Sequence, residues 1–93
     1  MARPNLSDYI LEVSQDYLGP AAERFVHRQI ATHLHKKPDK LTAGDIYKLI
    51  DWLKLSFSLL TDNNNLVDEY THRLSLVAAG EPEKALGERW MRD

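Results

Sequence analysis

The sequence contains no cysteine, and only four glycines and four prolines are spread over its 93 residues. Without cysteine there can be no disulfide, no thiolate catalysis and no cysteine-based zinc site, which fits a reducing compartment. None of the glycines belongs to a phosphate-binding loop pattern. The longest strongly apolar stretch, residues 46–60, is interrupted by Lys48, Asp51 and Lys54, and residues 1–7 carry no signal-peptide core. We therefore expect a cytoplasmic protein without a membrane segment.

Alternation of apolar and polar residues with a period of two is also missing, so we expect no β-sheet. The hydrophobic share of 43% is close to the globular average, and 93 residues suffice for one hydrophobic core but not two. A domain of this size buries only part of its surface when alone, which makes self-association an option.

Strong net charge is a further absence, since the formal charge is −2. This balance argues against strong, nonspecific nucleic-acid binding. Basic residues nevertheless concentrate in residues 24–40, between two acidic regions. Two interpretations stay open: an ordinary solvated face, or a weak basic patch for an acidic partner or a phosphate. The patch would consist of Arg24, His27, Arg28, Lys36, Lys37 and Lys40.

Four apolar stripes at helical spacing run along the chain. The first helix is predicted between Asn5 and Leu18, with Asn5 and Asp8, or Ser7 alone, as its cap. Gly19 ends this helix and Pro20 starts the second, which extends to about His35. The stripes of these two helices are Ile10, Val13 and Tyr17, then Ala22, Phe25, Val26, Ile30 and Leu34.

The third helix has the clearest start. Thr42 is the predicted N-cap, Asp45 follows three residues later, and Leu41 and Ile46 can form a hydrophobic staple. The predicted core stripe is Ile46, Leu49, Ile50, Leu53, Phe57 and Leu60.

A run of Asp and Asn over residues 62–65 separates the third helix from the fourth. Asn65 is the predicted cap, with Asp68 three residues after it, and Gly80 is the predicted stop. The stripe between them is Val67, Tyr70, Leu74 and Val77. The expected fold is all-α, a compact four-helix bundle or an orthogonal helical array over residues 1–80. Residues 81–93 form a tail that either docks as a short fifth helix, with Leu86 and Trp90 four apart, or stays loose.

Candidate metal and catalytic residues do not form a recognisable constellation. Glu69 and His72 make one Glu-x-x-His step, but a carboxylate di-iron bundle requires a second step and two further glutamates. No serine has the glycine-flanked elbow of a hydrolase. His33 borders the second stripe, where it is either a packing residue or a phosphorelay histidine, and neither known phosphorelay pattern surrounds it. We expect no metal, no cofactor and no enzymatic activity.

A second apolar stripe on the third helix is the most informative functional feature. Trp52, Leu55 and Leu59 are spaced three and four apart and lie about 100° or more from the core stripe. Such a helix is either central in its fold or covered by a partner. In the first case the other helices surround it. In the second case the stripe is the surface of a homodimer or of a complex with another protein.

Residues 16–22 (DYLGPAA), which lead into residues 25–28 (FVHR), resemble the start of a known type of small helical module. Its pattern is Tyr-hydrophobic-Gly-Pro-x-Ala, and such modules occur at the ends of bacterial kinases, response regulators and other signalling proteins. The resemblance covers about a dozen residues. It implies a bacterial, helical accessory domain and transfers no catalytic residue. The region around Trp52 departs from the pattern.

Together these features predict a non-enzymatic interaction or regulatory module in bacterial signalling that self-associates through its third helix. The alternative is a nucleic-acid-binding regulator that uses the basic segment 24–40. In that case the Gly19–Pro20 turn would lead into a recognition helix. Such a helix normally sits in a clearly basic domain, unlike this one.

Overall fold

The chain folds into helices joined by short turns, as seen in a computed structural model that describes residues 5–87. No strand occurs in this range, so the predicted all-α class is confirmed. The radius of gyration is 12.3 Å, which matches the value of about 12 Å expected for a folded domain of this length. The helices are α1 Leu6–Leu18, α2 Ala22–His33, α3 Ala43–Ser58, α4 Asn64–Ala78 and α5 Pro82–Gly87.

The start of α1 is set by a capping box. The Asn5 side chain accepts a hydrogen bond from the Asp8 amide at 3.1 Å, and the Asp8 carboxylate accepts one from the Asn5 amide at 3.1 Å. Gly19 ends the helix with a φ of 59°, a conformation that glycine adopts at little cost. A 3-10 turn, Gly19–Ala21, then leads into α2. The second helix is therefore shorter at both ends than predicted.

Thr42 caps α3 as predicted. Its hydroxyl oxygen accepts from the Asp45 amide at 3.2 Å, while the Asp45 carboxylate accepts from the Thr42 amide at 3.0 Å and from Lys36 Nζ at 2.7 Å. The hydrogen bonds from Lys36 and from the Thr42 backbone lower the pKa of Asp45 to about 2. Leu41, the outer half of the predicted staple, packs against the core. This cap therefore joins the loop after α2 to the start of α3.

The prediction that Asn65 caps α4 was wrong. Asn63 is the N-cap, and its side-chain oxygen accepts from the amides of Asn65 and Leu66 at 3.0 and 3.2 Å. Any of the three consecutive asparagines can serve as a cap, and the helix begins at the first whose side chain reaches two free amides. Gly80 ends α4 with a φ of 85°, as its position predicted.

The core lies between α1, α2, α3 and α4. Most of the predicted stripe residues are buried in it, including all of the α3 stripe except Leu60, which is 64% exposed. The placement of Leu60 in the core was wrong because α3 ends at Ser58, so the helical phase does not continue to residue 60. The Ser58 hydroxyl donates to the Leu55 carbonyl at 2.6 Å, a local bond of the kind that competes with helix continuation.

A polar cluster joins α1, α4 and α5 inside the fold. Arg73 is fully buried, and its guanidinium donates to Asp16 Oδ2 at 2.7 Å, to the Tyr17 hydroxyl at 3.3 Å and to the Ala85 carbonyl at 2.9 Å. Burial alone would lower the pKa of Arg73, but the bonds to Tyr17 and Asp16 outweigh it and raise that pKa. The Arg73 guanidinium, on α4, is thus hydrogen-bonded to both α5 and α1. Of the two states predicted for the tail, the structure has the docked short helix, which is described as far as Gly87. Trp90 lies outside the described residues.

A second buried hydrogen bond links α1 and α4. The Ser14 hydroxyl donates to the Ile10 carbonyl at 2.8 Å and lies 2.6 Å from the Tyr70 hydroxyl, which then donates to Ser14. Burial raises the pKa of Tyr70, so the phenol stays protonated. The Tyr70 ring also packs against the rings of Tyr17 and Phe57, with centroids 5.1 and 5.0 Å apart.

Candidate interaction surface on helices α2 and α3

The second apolar stripe of α3 lies on the surface of the fold. Trp52 is 42% exposed, Leu55 is 53% exposed and Leu59, the C-cap residue, is 79% exposed. We call these three residues the α3 face. The remaining helices cover the opposite side of α3, where its core stripe lies. In the part of the chain that the structure describes, α3 is therefore not surrounded on all sides, and its apolar residues meet solvent.

His33 positions the aromatic member of this face. Its imidazole ring, at the end of α2, stacks on the indole of Trp52 with the ring centroids 3.8 Å apart and the planes 5° from parallel. Stacked ring pairs add about 0.5–1.5 kcal/mol beyond the area that they bury. His33 is half-buried, and this contact gives it the packing role that its position beside the α2 stripe suggested. The stack restricts the indole while leaving part of it accessible.

A groove opens next to the α3 face, between α2, the end of α1 and the end of α3. Its volume is about 360 Å³. The apolar lining consists of Leu18, Ala21, Phe25, Leu59 and Leu60. Leu59 therefore belongs both to the groove and to the α3 face. The sequence assigned Phe25 and Leu60 to the core, and their place in a groove depends on where three helices end, which the periodicity of one helix does not reveal.

Two arginines of the predicted basic patch lie at this groove. Arg24 and Arg28 are one turn apart on α2, and both line the cavity. Within residues 5–87 neither forms an ion pair or a hydrogen bond. The Oε1 atom of Gln29, which also lines the groove, is buried and has no hydrogen-bond partner among the described residues.

The other residues of the basic patch have different surroundings. Lys36 bonds to Asp45 in the cap of α3, so its charge is already paired. His27 is exposed on α2 but does not line the groove. Lys37 and Lys40 are exposed in the turn between α2 and α3. Of the predicted basic patch, Arg24 and Arg28 therefore line the apolar groove. Lys36 instead stabilises the start of α3 through its ion pair with Asp45.

The chemistry available on this surface is binding by apolar contact and by fixed positive charge. Among residues 5–87 no three His, Asp or Glu side chains are grouped to hold a metal ion. The groups whose pKa values are shifted belong to the α3 cap and to the buried contacts of α1 with α4, and none of them lines the groove. In the same range no helix is long and apolar enough to cross a membrane.

A comparison of the chain with protein families, with curated proteins and with solved structures finds no match.

Proposed function

We propose that this protein is a non-enzymatic protein-interaction module that self-associates through the α3 face. The observation that carries the proposal is the exposure of Trp52, Leu55 and Leu59 as neighbours on one helix. Fully burying a leucine side chain contributes about 1.5–3 kcal/mol, so covering the exposed half of Leu55 contributes roughly 0.8–1.6 kcal/mol per chain. A twofold contact counts this contribution twice, because both copies use the same surface.

The occupant is a second copy of the same chain, because a twofold contact brings two identical apolar faces together.

The context of bacterial signalling is also part of the proposal. Its support is the resemblance of residues 16–28 to the start of helical modules in bacterial signalling proteins. In the structure this segment forms the joint between α1 and α2, with Gly19 and Pro20 in the 3-10 turn. In a bacterial signalling protein, a module that self-associates through α3 would act as a regulatory dimer.

The test is the molecular mass in solution, measured by sedimentation equilibrium over a range of concentrations. We expect the wild type to form dimers and Leu55→Glu to remain a folded monomer, because position 55 is exposed and the charge would be buried only in the dimer. Tyr47→Glu is the matched control, since Tyr47 is 55% exposed on the same helix but lies about two turns away. It should still dimerise. A wild type that stays monomeric at high micromolar concentration contradicts the proposal.

A further inference from the structure

We infer that the groove between α2 and α3 binds a small amphiphilic carboxylate, in which one carboxylate group carries an apolar tail of medium length. The groove shares Leu59 with the α3 face, but Leu55 and Trp52 do not line it, so binding in the groove can be tested apart from self-association. It is carried by the combination of an apolar lining with two arginines that have no partner in the described part of the chain.

The arginines supply the site for the carboxylate. Arg24 and Arg28 are four residues apart, so their side chains extend from the same face of α2. Like charges at this spacing repel each other and destabilise a helix slightly. Neither arginine forms an ion pair within the described range, so a bound anion would relieve the repulsion. Guanidinium groups match the planar geometry of a carboxylate, which they can bind with two parallel hydrogen bonds.

The groove supplies the site for the tail. Its volume of about 360 Å³ lies at the lower end of the range of about 300–1,000 Å³ that is usual for small-molecule sites. Leu18, Phe25 and Leu60 line it with apolar surface, and Leu60 exposes 64% of its own surface to solvent. A ligand that covers these side chains removes apolar area from water, which is favourable. An inorganic anion would use only the arginines, and a neutral hydrocarbon would use only the lining.

Decanoate is a suitable ligand for the test, titrated below its micelle concentration by isothermal calorimetry at neutral pH. We expect saturable binding of one decanoate per chain. Acetate, which lacks the tail, should show no saturable binding. Decanol, which lacks the charge, should bind about tenfold more weakly or worse, because it cannot form the charge-assisted hydrogen bonds.

Two sets of variants assign the binding to the groove. Arg24→Gln combined with Arg28→Gln should weaken decanoate binding about tenfold or more, whereas Lys37→Gln with Lys54→Gln removes two exposed cations outside the groove and should not. Ala21→Phe should also weaken binding, because it fills the cavity and leaves both arginines in place. Circular dichroism should show that each variant keeps the helical content of the wild type.

Several outcomes overturn the inference: absence of saturable binding, equal affinity for decanol, or equal loss in the arginine and lysine double variants. The Leu55→Glu variant separates this inference from the proposed dimer. It should bind decanoate at least as tightly as the wild type, because the monomer leaves the shared residue Leu59 accessible, so either proposal can fail without the other. Loss of decanoate binding in Leu55→Glu would show that the groove alone is not the site.

Discussion

Replacing the buried Arg73 by methionine is the sharpest test of how the helices are held together. Methionine keeps much of the side-chain volume but removes the three hydrogen bonds to Asp16, Tyr17 and Ala85. The Ala85 carbonyl and the Asp16 carboxylate then lose a charged donor. Breaking a buried ion pair typically costs about 3–5 kcal/mol. The Asp16 side chain is 21% exposed and can be partly hydrated, so the expected cost lies near 3 kcal/mol, the lower end of that estimate.

This cost is large for a small domain. A loss of 1 kcal/mol lowers the thermal midpoint of a domain this size by roughly 4–8 °C, so Arg73→Met should lower it by roughly 12 °C or more. Hydrogen exchange gives a second measurement. In Arg73→Met the backbone amides of α5 should lose more protection than those of α3, because Arg73 holds α5 through the Ala85 carbonyl. Arg28→Met is the matched control. It removes an exposed arginine that has no partner in the described range, and it should change the midpoint little.

A double-mutant cycle with Asp16→Ala identifies the interaction responsible. If Asp16 and Arg73 act as a pair, the double variant should be more stable than the sum of the two single losses implies. Arg73→Lys should lie between the wild type and Arg73→Met, since lysine retains a charge but not the fork of donors. A midpoint of Arg73→Met within about 4 °C of the wild type, which corresponds to roughly 1 kcal/mol or less, would refute the reasoning.

Two further predictions concern the cap of α3. Thr42→Ala should cost about 1 kcal/mol, measured by urea unfolding against Thr32→Ala, which truncates an exposed threonine outside the cap. An unchanged transition would mean that the capping box contributes nothing. Asp45→Asn tests the pH dependence. Because folding lowers the pKa of Asp45 to about 2, its stabilising effect is present above its unfolded value and is lost as the pH falls through about 2. The difference in stability between wild type and Asp45→Asn should therefore shrink between pH 4 and pH 2, and a constant difference would contradict the assignment.

The caps could be predicted from the sequence because their chemistry is local. At Thr42 the donor, the acceptor and the acidic third residue lie within four positions of one another, so spacing alone specifies the hydrogen bonds, and at Asn5 the same spacing was one of two alternatives. The same reasoning was ambiguous at residues 63–65, where three identical side chains compete for one role. A local rule identifies a cap residue only when its neighbours cannot substitute for it.

Arg73 could not be predicted, because the reason for its burial is not local. Its position beside Tyr70 and Leu74 places it on the core side of α4, but an arginine in a stripe is usually read as the edge of a polar face. Its acceptor Asp16 lies 57 positions away in sequence, on α1. The groove was missed for the same reason, since its lining combines residues of three helices. Contacts between distant segments are decided by packing, which periodicity does not describe.

The arginines themselves show how this fold divides structural from functional roles. Arg73 is enclosed by α1, α4 and α5, and every acceptor that it needs is supplied from inside the chain. Arg24 and Arg28 lie on α2, where the described residues supply no acceptor for either guanidinium. A buried cation without acceptors would prevent folding, whereas an exposed one costs little and remains available to a ligand. Substitutions at position 73 should therefore change stability, and substitutions at positions 24 and 28 should change binding while leaving the fold intact.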